Sequence, residues 1–160
     1  DTVILSSDET EFYIKREYLT AASPFFAGLF PPQNTPVETR NGLPVAPLPH
    51  DGRSLRSLLY FSYPIALPTM EIGDFDVAFQ LAHQYCMDGI QERIKNVLLN
   101  SALLSQKPLA VFAIATSNKW QAIVIRAARF TLQHPLKFTE EPIEELHRVT
   151  GTDYHNLLSY

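Results

Sequence analysis

Phe12-Tyr13-Ile14-Lys15-Arg16-Glu17-Tyr18-Leu19-Thr20-Ala21-Ala22-Ser23-Pro24-Phe25-Phe26 is the stretch on which the fold turns. With Glu11 before it, the opening alternates polar with aromatic or aliphatic side chains, which predicts a strand over 11–14. Leu19, Ala21 and Ala22 follow in a short helical segment. Ser23-Pro24 then reads as an N-cap followed by proline in the first turn, where its missing N–H costs nothing. Phe25, Phe26, Leu29 and Phe30 form an apolar stripe at spacings of one, three and four.

Upstream, Thr2 to Ser6 is rich in Val, Ile and Leu, and the turn formers Ser6-Ser7-Asp8-Glu9-Thr10 link it to the strand at 11–14 as a β-hairpin. Downstream, six prolines lie between Pro31 and Pro49. The part from Pro31 to Gly42 reads as a mobile surface loop that tolerates cutting. Leu43 to Leu48 suits an edge strand, because proline is tolerated at edges and ends. Asp51 caps a helix whose Leu55, Leu58 and Leu59 share a face, and Pro64 ends it. The rest is helical. Asp74 reads as an N-cap for a helix with Val77, Leu81 and Tyr85 along one side. Asp88 caps the next, where Ile90, Ile94, Val97 and Leu98 keep the helical period. Pro108 begins a helix with Leu109, Phe112 and Ala115. Another runs from about Gln121 to Leu132, and the last from about Ile143 to Tyr160, with a break near Gly151.

One internal similarity stands out. Phe79, Ala82, Ile90, Arg93 and Leu99 recur 33 residues later as Phe112, Ala115, Ile123, Arg126 and Leu132. Both segments read as helix–turn–helix, and such pairs often stack side by side. Chance coincidence of two amphipathic hairpins is the alternative.

The 160 residues suffice for one ordinary domain with a helical appendage. The net charge is −4 and the basic residues read as scattered, so the electrostatic footprint of a nucleic-acid binder is missing. No apolar run reaches the ~18 residues that span a bilayer. The chain opens at Asp1 without an initiator Met or a signal-peptide pattern, which suggests a piece of a longer protein. The single Cys86 points to a reducing compartment, cytoplasm or nucleus.

No phosphate-cradling, dinucleotide, nucleophile-elbow or zinc-protease motif is present, and no cofactor or metal is expected. His83 and Cys86, three apart on an expected helix, could be a metal pair or a Cys–His nucleophile. The plainer reading makes His83 a rim residue and Cys86 a small, buried, inert thiol. His147 and His155 read as solvated helix residues. Glu140, Glu141, Glu144 and Glu145 read as a charged first turn favoured by the helix dipole, or as a docking surface for a basic partner. Trp120, Phe112, Ile123 and Phe130 are too apolar for a free tail.

The quoted stretch resembles the BTB/POZ signature: an aromatic strand end, a basic pair, a leucine, then a serine leading into two aromatics. Lys15 stands where the family has His, and Thr2-Val3 where Asp-Val is usual. Leu55 to Tyr63 resembles the family's leucine-rich helix ending in Tyr. Leu81 to Arg93 resembles its next helix pair, through Ala82, Tyr85 and Met87. The resemblance implies an α+β fold over residues 1–100, a small β-sheet flanked by helical hairpins. Residues 101–160 would be a helical extension packed on it, similar to the expanded fungal branch. It also implies an interaction and oligomerisation module acting as an adaptor, a homodimer without catalytic residues. Recruitment to transcriptional regulators, or a role as substrate receptor of a cullin-type ubiquitin ligase, follows from the same likeness. A small hydrolase or redox enzyme is the alternative of another class. In relatives the first strand and first helices meet at a two-fold axis, which makes Val3, Leu5, Lys15, Arg16, Leu19, Phe25 and Phe26 the candidate dimer interface.

Overall fold

A computed structural model describes residues 1–30, 38–133 and 143–159. The chain divides into two compact units, Asp1–Ile94 and Lys95–Tyr160.

The first unit is α+β, as the resemblance implies. Strands β1 (Thr2–Leu5) and β2 (Glu11–Ile14) form an antiparallel hairpin with Val3 opposite Tyr13. Its turn is closed by Ser6, whose amide donates to the Thr10 carbonyl at 3.0 Å and whose hydroxyl accepts from the Thr10 amide at 2.8 Å. Helices α1 (Arg16–Ala22) and α2 (Pro24–Leu29) follow. Then come β3 (Thr39–Arg40) and β4 (Leu43–Pro47), in a sheet ordered β2-β1-β4-β3. Pairing of β1 with β4 is parallel, Val3 opposite Val45.

The segment 43–48 is therefore not an edge strand. It lies between β1 and β3, and its prolines fall near its two ends. The short β3 follows from Asn41-Gly42, both at positive φ (53° and 77°), which is the two-residue hairpin turn that Asn-Gly favours. Residues 31–37 of the expected loop lie outside the described residues.

Helix α3 (Gly52–Ser62) starts as expected, with the Asp51 carboxylate accepting from the Ser54 amide at 2.9 Å. It stops at Tyr63, extended because Pro64 follows. Helix α4 (Ile72–Gln84) begins earlier than expected. Glu71 is its N-cap and Asp74 is the third helical residue of a capping box, donor and acceptor in reciprocal order. Val77 is exposed; the buried side of α4 carries Phe75, Ala78, Leu81 and Ala82. Helix α5 (Asp88–Leu99) has Asp88 as its first residue rather than its cap.

The second unit holds α6 (Leu103–Gln106), α7 (Pro108–Ser117) and α8 (Gln121–Gln133). A 3-10 turn at Glu144–Arg148 and α9 (Gly151–Leu158) complete it. The break near Gly151 is present, made by Thr150 capping α9. An apolar stripe was the expectation for α7, yet six consecutive residues, Ala110 to Ala115, are buried. Such a helix is covered on every side. Tyr160, Glu140 and Glu141 lie outside the described residues.

The 33-residue similarity has a structural counterpart. The α4–α5 turn has Cys86 at φ 53°, with the Met87 amide donating to the Ala82 carbonyl at 2.8 Å. The α7–α8 turn has Lys119 at φ 60°, with the Trp120 amide donating to the Ala115 carbonyl at 2.8 Å. Each turn uses a left-handed residue and a backward bond to close the preceding helix.

Candidate interaction surface

The first unit presents apolar surface where β2 runs into α1 and α2. Strand alternation turns Ile14 inward and Tyr13 outward, 53% exposed. On α1, Leu19 is buried and Tyr18 exposed; on α2, Phe26 is buried and Phe25 is 42% exposed. These side chains are held by their neighbours rather than left loose. The Tyr63 hydroxyl accepts from the Lys15 amide at 2.8 Å, and its ring lies 4.7 Å from that of Tyr18. Burial pushes the Tyr63 phenol up from its ordinary value. Phe25 packs against Phe26 and Tyr85 at ring distances of 5.3 and 4.8 Å. Tyr13 donates to Glu11 and accepts from Asn41 at 2.8 and 2.7 Å. Glu11 also pairs with Arg40, which holds the carboxylate below and the guanidinium above their ordinary values.

Beside this surface is a groove of about 490 Å³ lined by Asp1, Tyr13, Lys15, Tyr18, Leu43 and Tyr63. Asp1 and Lys15 border the same groove but make no ion pair with each other.

The candidate interface residues divide by burial. Val3, Leu19 and Phe26 belong to the core of the first unit. Leu5 and Arg16 are half-buried, and Lys15 and Phe25 are exposed. Tyr13 and Tyr18, exposed on the same segment, were not singled out in the sequence. Strand alternation carries the signal for Tyr13, since Ile14 beside it must turn inward.

Cys86 is exposed, which corrects the expectation of a buried thiol. It sits past the end of α4 rather than on it, in the left-handed turn, so it does not share a helical face with His83. His147 lies in the 3-10 turn, its Nδ1 against the Glu144 carbonyl oxygen, and His155 lies on α9. Among the described residues no three His, Cys, Asp or Glu side chains gather where a metal ion could be held. Among them, too, no helix is long and apolar enough to cross a membrane.

No curated protein matches the chain. The family model of the BTB/POZ domain, a protein–protein interaction module, matches residues 1–102 and so spans the first unit and the whole of α5. By that match, and by a fold that agrees with it, the chain belongs to the BTB/POZ family.

Proposed function

We propose that this chain is a homodimerising adaptor that meets its second copy through the surface where β2 enters α1 and α2. The observation that carries this reading is the row of accessible aromatics, Tyr13, Tyr18 and Phe25, beside the exposed Lys15. Large aromatics are costly to leave in water and are enriched at the centres of interfaces. Val3, Leu19 and Phe26 serve from beneath, fixing the strand and helices that present the contact. Leu5 and Arg16 extend it at the rim. A stable patch of this type covers roughly 800 Å² per partner. As an adaptor the dimer would serve a transcriptional regulator or a cullin-type ubiquitin ligase, in the cytoplasm or nucleus. Co-purification of a cullin with the chain is the result that selects the ligase.

Removing residues 1–6 is a poor test, because β1 is an inner strand whose Val3 and Ile4 are buried. Sedimentation equilibrium should instead compare the chain with Tyr13→Asp/Phe25→Asp, checked for an unchanged far-ultraviolet spectrum. A dimer that becomes monomeric in the double variant supports the reading. A parent that is monomeric at high micromolar concentration rejects it.

A further inference from the structure

A net charge of −4 conceals a segregation: between Glu92 and Glu140 stand seven Lys or Arg residues, from Arg93 to Lys137, and no Asp or Glu. The basic residues are scattered along this stretch, as expected, but no acid is interspersed with them. The repeated hairpin shows what this does. Arg93 and Arg126 occupy the same position in the two copies. In the first, the Arg93 guanidinium donates to the carbonyls of Phe61 and Tyr63 at 2.8 and 2.9 Å, closing the end of α3. In the second, Arg126 is exposed and has neither hydrogen-bond nor ion-pair partner among the described residues, and the same holds for Arg129 one turn on.

Both arginines border a groove of about 470 Å³ that runs along α8 from Ala122 to Gln133. Leu99, Ala122, Ile125 and Phe130 give it an apolar lining, and among the described residues no carboxylate lines it. Helix α8 is thus apolar on two sides. Ile123, Ala127 and Thr131 are buried within the protein, while Ala122, Ile125 and Phe130 keep solvent-accessible surface. One apolar face suffices to pack a surface helix, so the second is surplus to the fold. Its length, twelve residues of helix, is about 18 Å, or just over three turns.

We propose that this groove docks an amphipathic helix of a partner protein, one whose apolar stripe is flanked by Asp and Glu. The apolar lining takes the stripe, and the two guanidiniums pair with the flanking carboxylates, bidentate geometry being available to each. A phosphate backbone would use the arginines but leave the apolar lining wet, so the lining selects a protein over a nucleic acid. The site shares no residue with the proposed dimer surface and does not depend on that reading.

The probe is a synthetic peptide of about 18 residues with Leu at i, i+3, i+4 and i+7 and Glu at most other positions. Its binding to the full chain is followed by fluorescence anisotropy at near-physiological salt. Controls are the same composition scrambled, a Lys-for-Glu version, and a single-stranded oligonucleotide. The expected result is saturable binding of the acidic amphipathic peptide alone. It weakens by about tenfold or more in Arg126→Glu/Arg129→Glu, which should in turn bind the Lys version. Both positions are exposed, so the variant should keep its helical spectrum; Arg126→Gln/Arg129→Gln, which adds no like-charge repulsion, replaces it otherwise. Equal binding of the scrambled peptide, unchanged affinity in the variants, or no saturation by millimolar peptide overturns the proposal. Preferential binding of the oligonucleotide overturns it in favour of a nucleic-acid surface.

Discussion

The Ser23 hydroxyl donates to the Tyr85 carbonyl while accepting from the amides of Phe25 and Phe26, so one oxygen joins the start of α2 to the end of α4. The pair is 62 residues apart and buried. Ser23→Ala removes an N-cap and strands a buried carbonyl, and should cost about 2–3 kcal/mol. Tyr85→Phe leaves that carbonyl in place. The Tyr85 hydroxyl has no hydrogen-bond partner among the described residues, and burial raises its pKa. This variant should therefore stay within about 1 kcal/mol of the parent, or exceed it. Urea denaturation of both variants reads the contrast.

Gly52 and Gly28 should respond to alanine in opposite directions. A Cβ on Gly52 would lie 2.7 Å from Thr10 Oγ1 and 2.8 Å from Thr10 Cβ, inside the hairpin turn that docks on α3. Overpacking of this kind costs about 1–3 kcal/mol. A Cβ on Gly28 meets nothing within 4 Å, and Gly28→Ala in α2 should gain up to about 1 kcal/mol. Thermal melting of both variants should show shifts of opposite sign.

Asp8 makes the docking of that turn pH-dependent. Its carboxylate accepts from the Ser6 hydroxyl and, at 3.0 Å, from the Gly52 amide, and these bonds lower its pKa from 3.8 to about 2. A carboxylate that is more acidic in the folded state stabilises the fold above its unfolded pKa and loses that contribution as pH falls through the folded one. The stability gap between the parent and Asp8→Asn should be constant above pH 3.8, shrink below it, and close near pH 2. Denaturant midpoints across that range measure it. A gap that widens toward low pH is inconsistent with the geometry.

Met87 and Trp120 hold equivalent places at the two repeated turns, 0% and 5% exposed. Met87→Ala should cost about 2–5 kcal/mol and Trp120→Ala about 3–5 kcal/mol, both by cavity formation. A near-zero cost for Trp120→Ala would mean that the ring is not buried in solution.

Cys86 should label readily with a thiol reagent in the folded protein, since it is exposed. Its left-handed backbone suits glycine better than any residue with a Cβ. Cys86→Gly should stabilise the chain by about 0.5–1 kcal/mol, seen as a raised melting temperature. Slow labelling, or a loss of stability in the glycine variant, would contradict the turn geometry.

Elements with a local cause were legible in the sequence. Ser23-Pro24 marked the start of α2, Asp51 and Pro64 the ends of α3, and alternation marked β2. What escaped was decided by distant partners. Nothing local tells that Leu43–Pro47 finds β1 on one side and β3 on the other, although Asn41-Gly42 did carry the hairpin signal. The buried run Ala110–Ala115 of α7 escaped for the same reason, since periodicity counts apolar residues but not the faces that become covered. The candidate interaction surface is drawn from the quoted stretch. Its apolar residues split between core and surface by the rotation of each short element, as Phe25 and Phe26 show. Net charge averaged away the basic run that follows Glu92.

The parallel pairing of β1 with β4 has a consequence for synthesis. Val3 and Val45 are partners in space but 42 residues apart in the chain. At roughly 5–20 residues per second, a ribosome takes several seconds to deliver the second after the first. Through that interval β2 covers one side of β1, and the other stays open with Val3 and Ile4 beside it. An unpaired apolar strand edge is a template for any neighbouring chain. The nascent polypeptide is most exposed to mispairing while β4 is still unmade, and a chaperone that binds short apolar segments should engage it before residue 43 emerges.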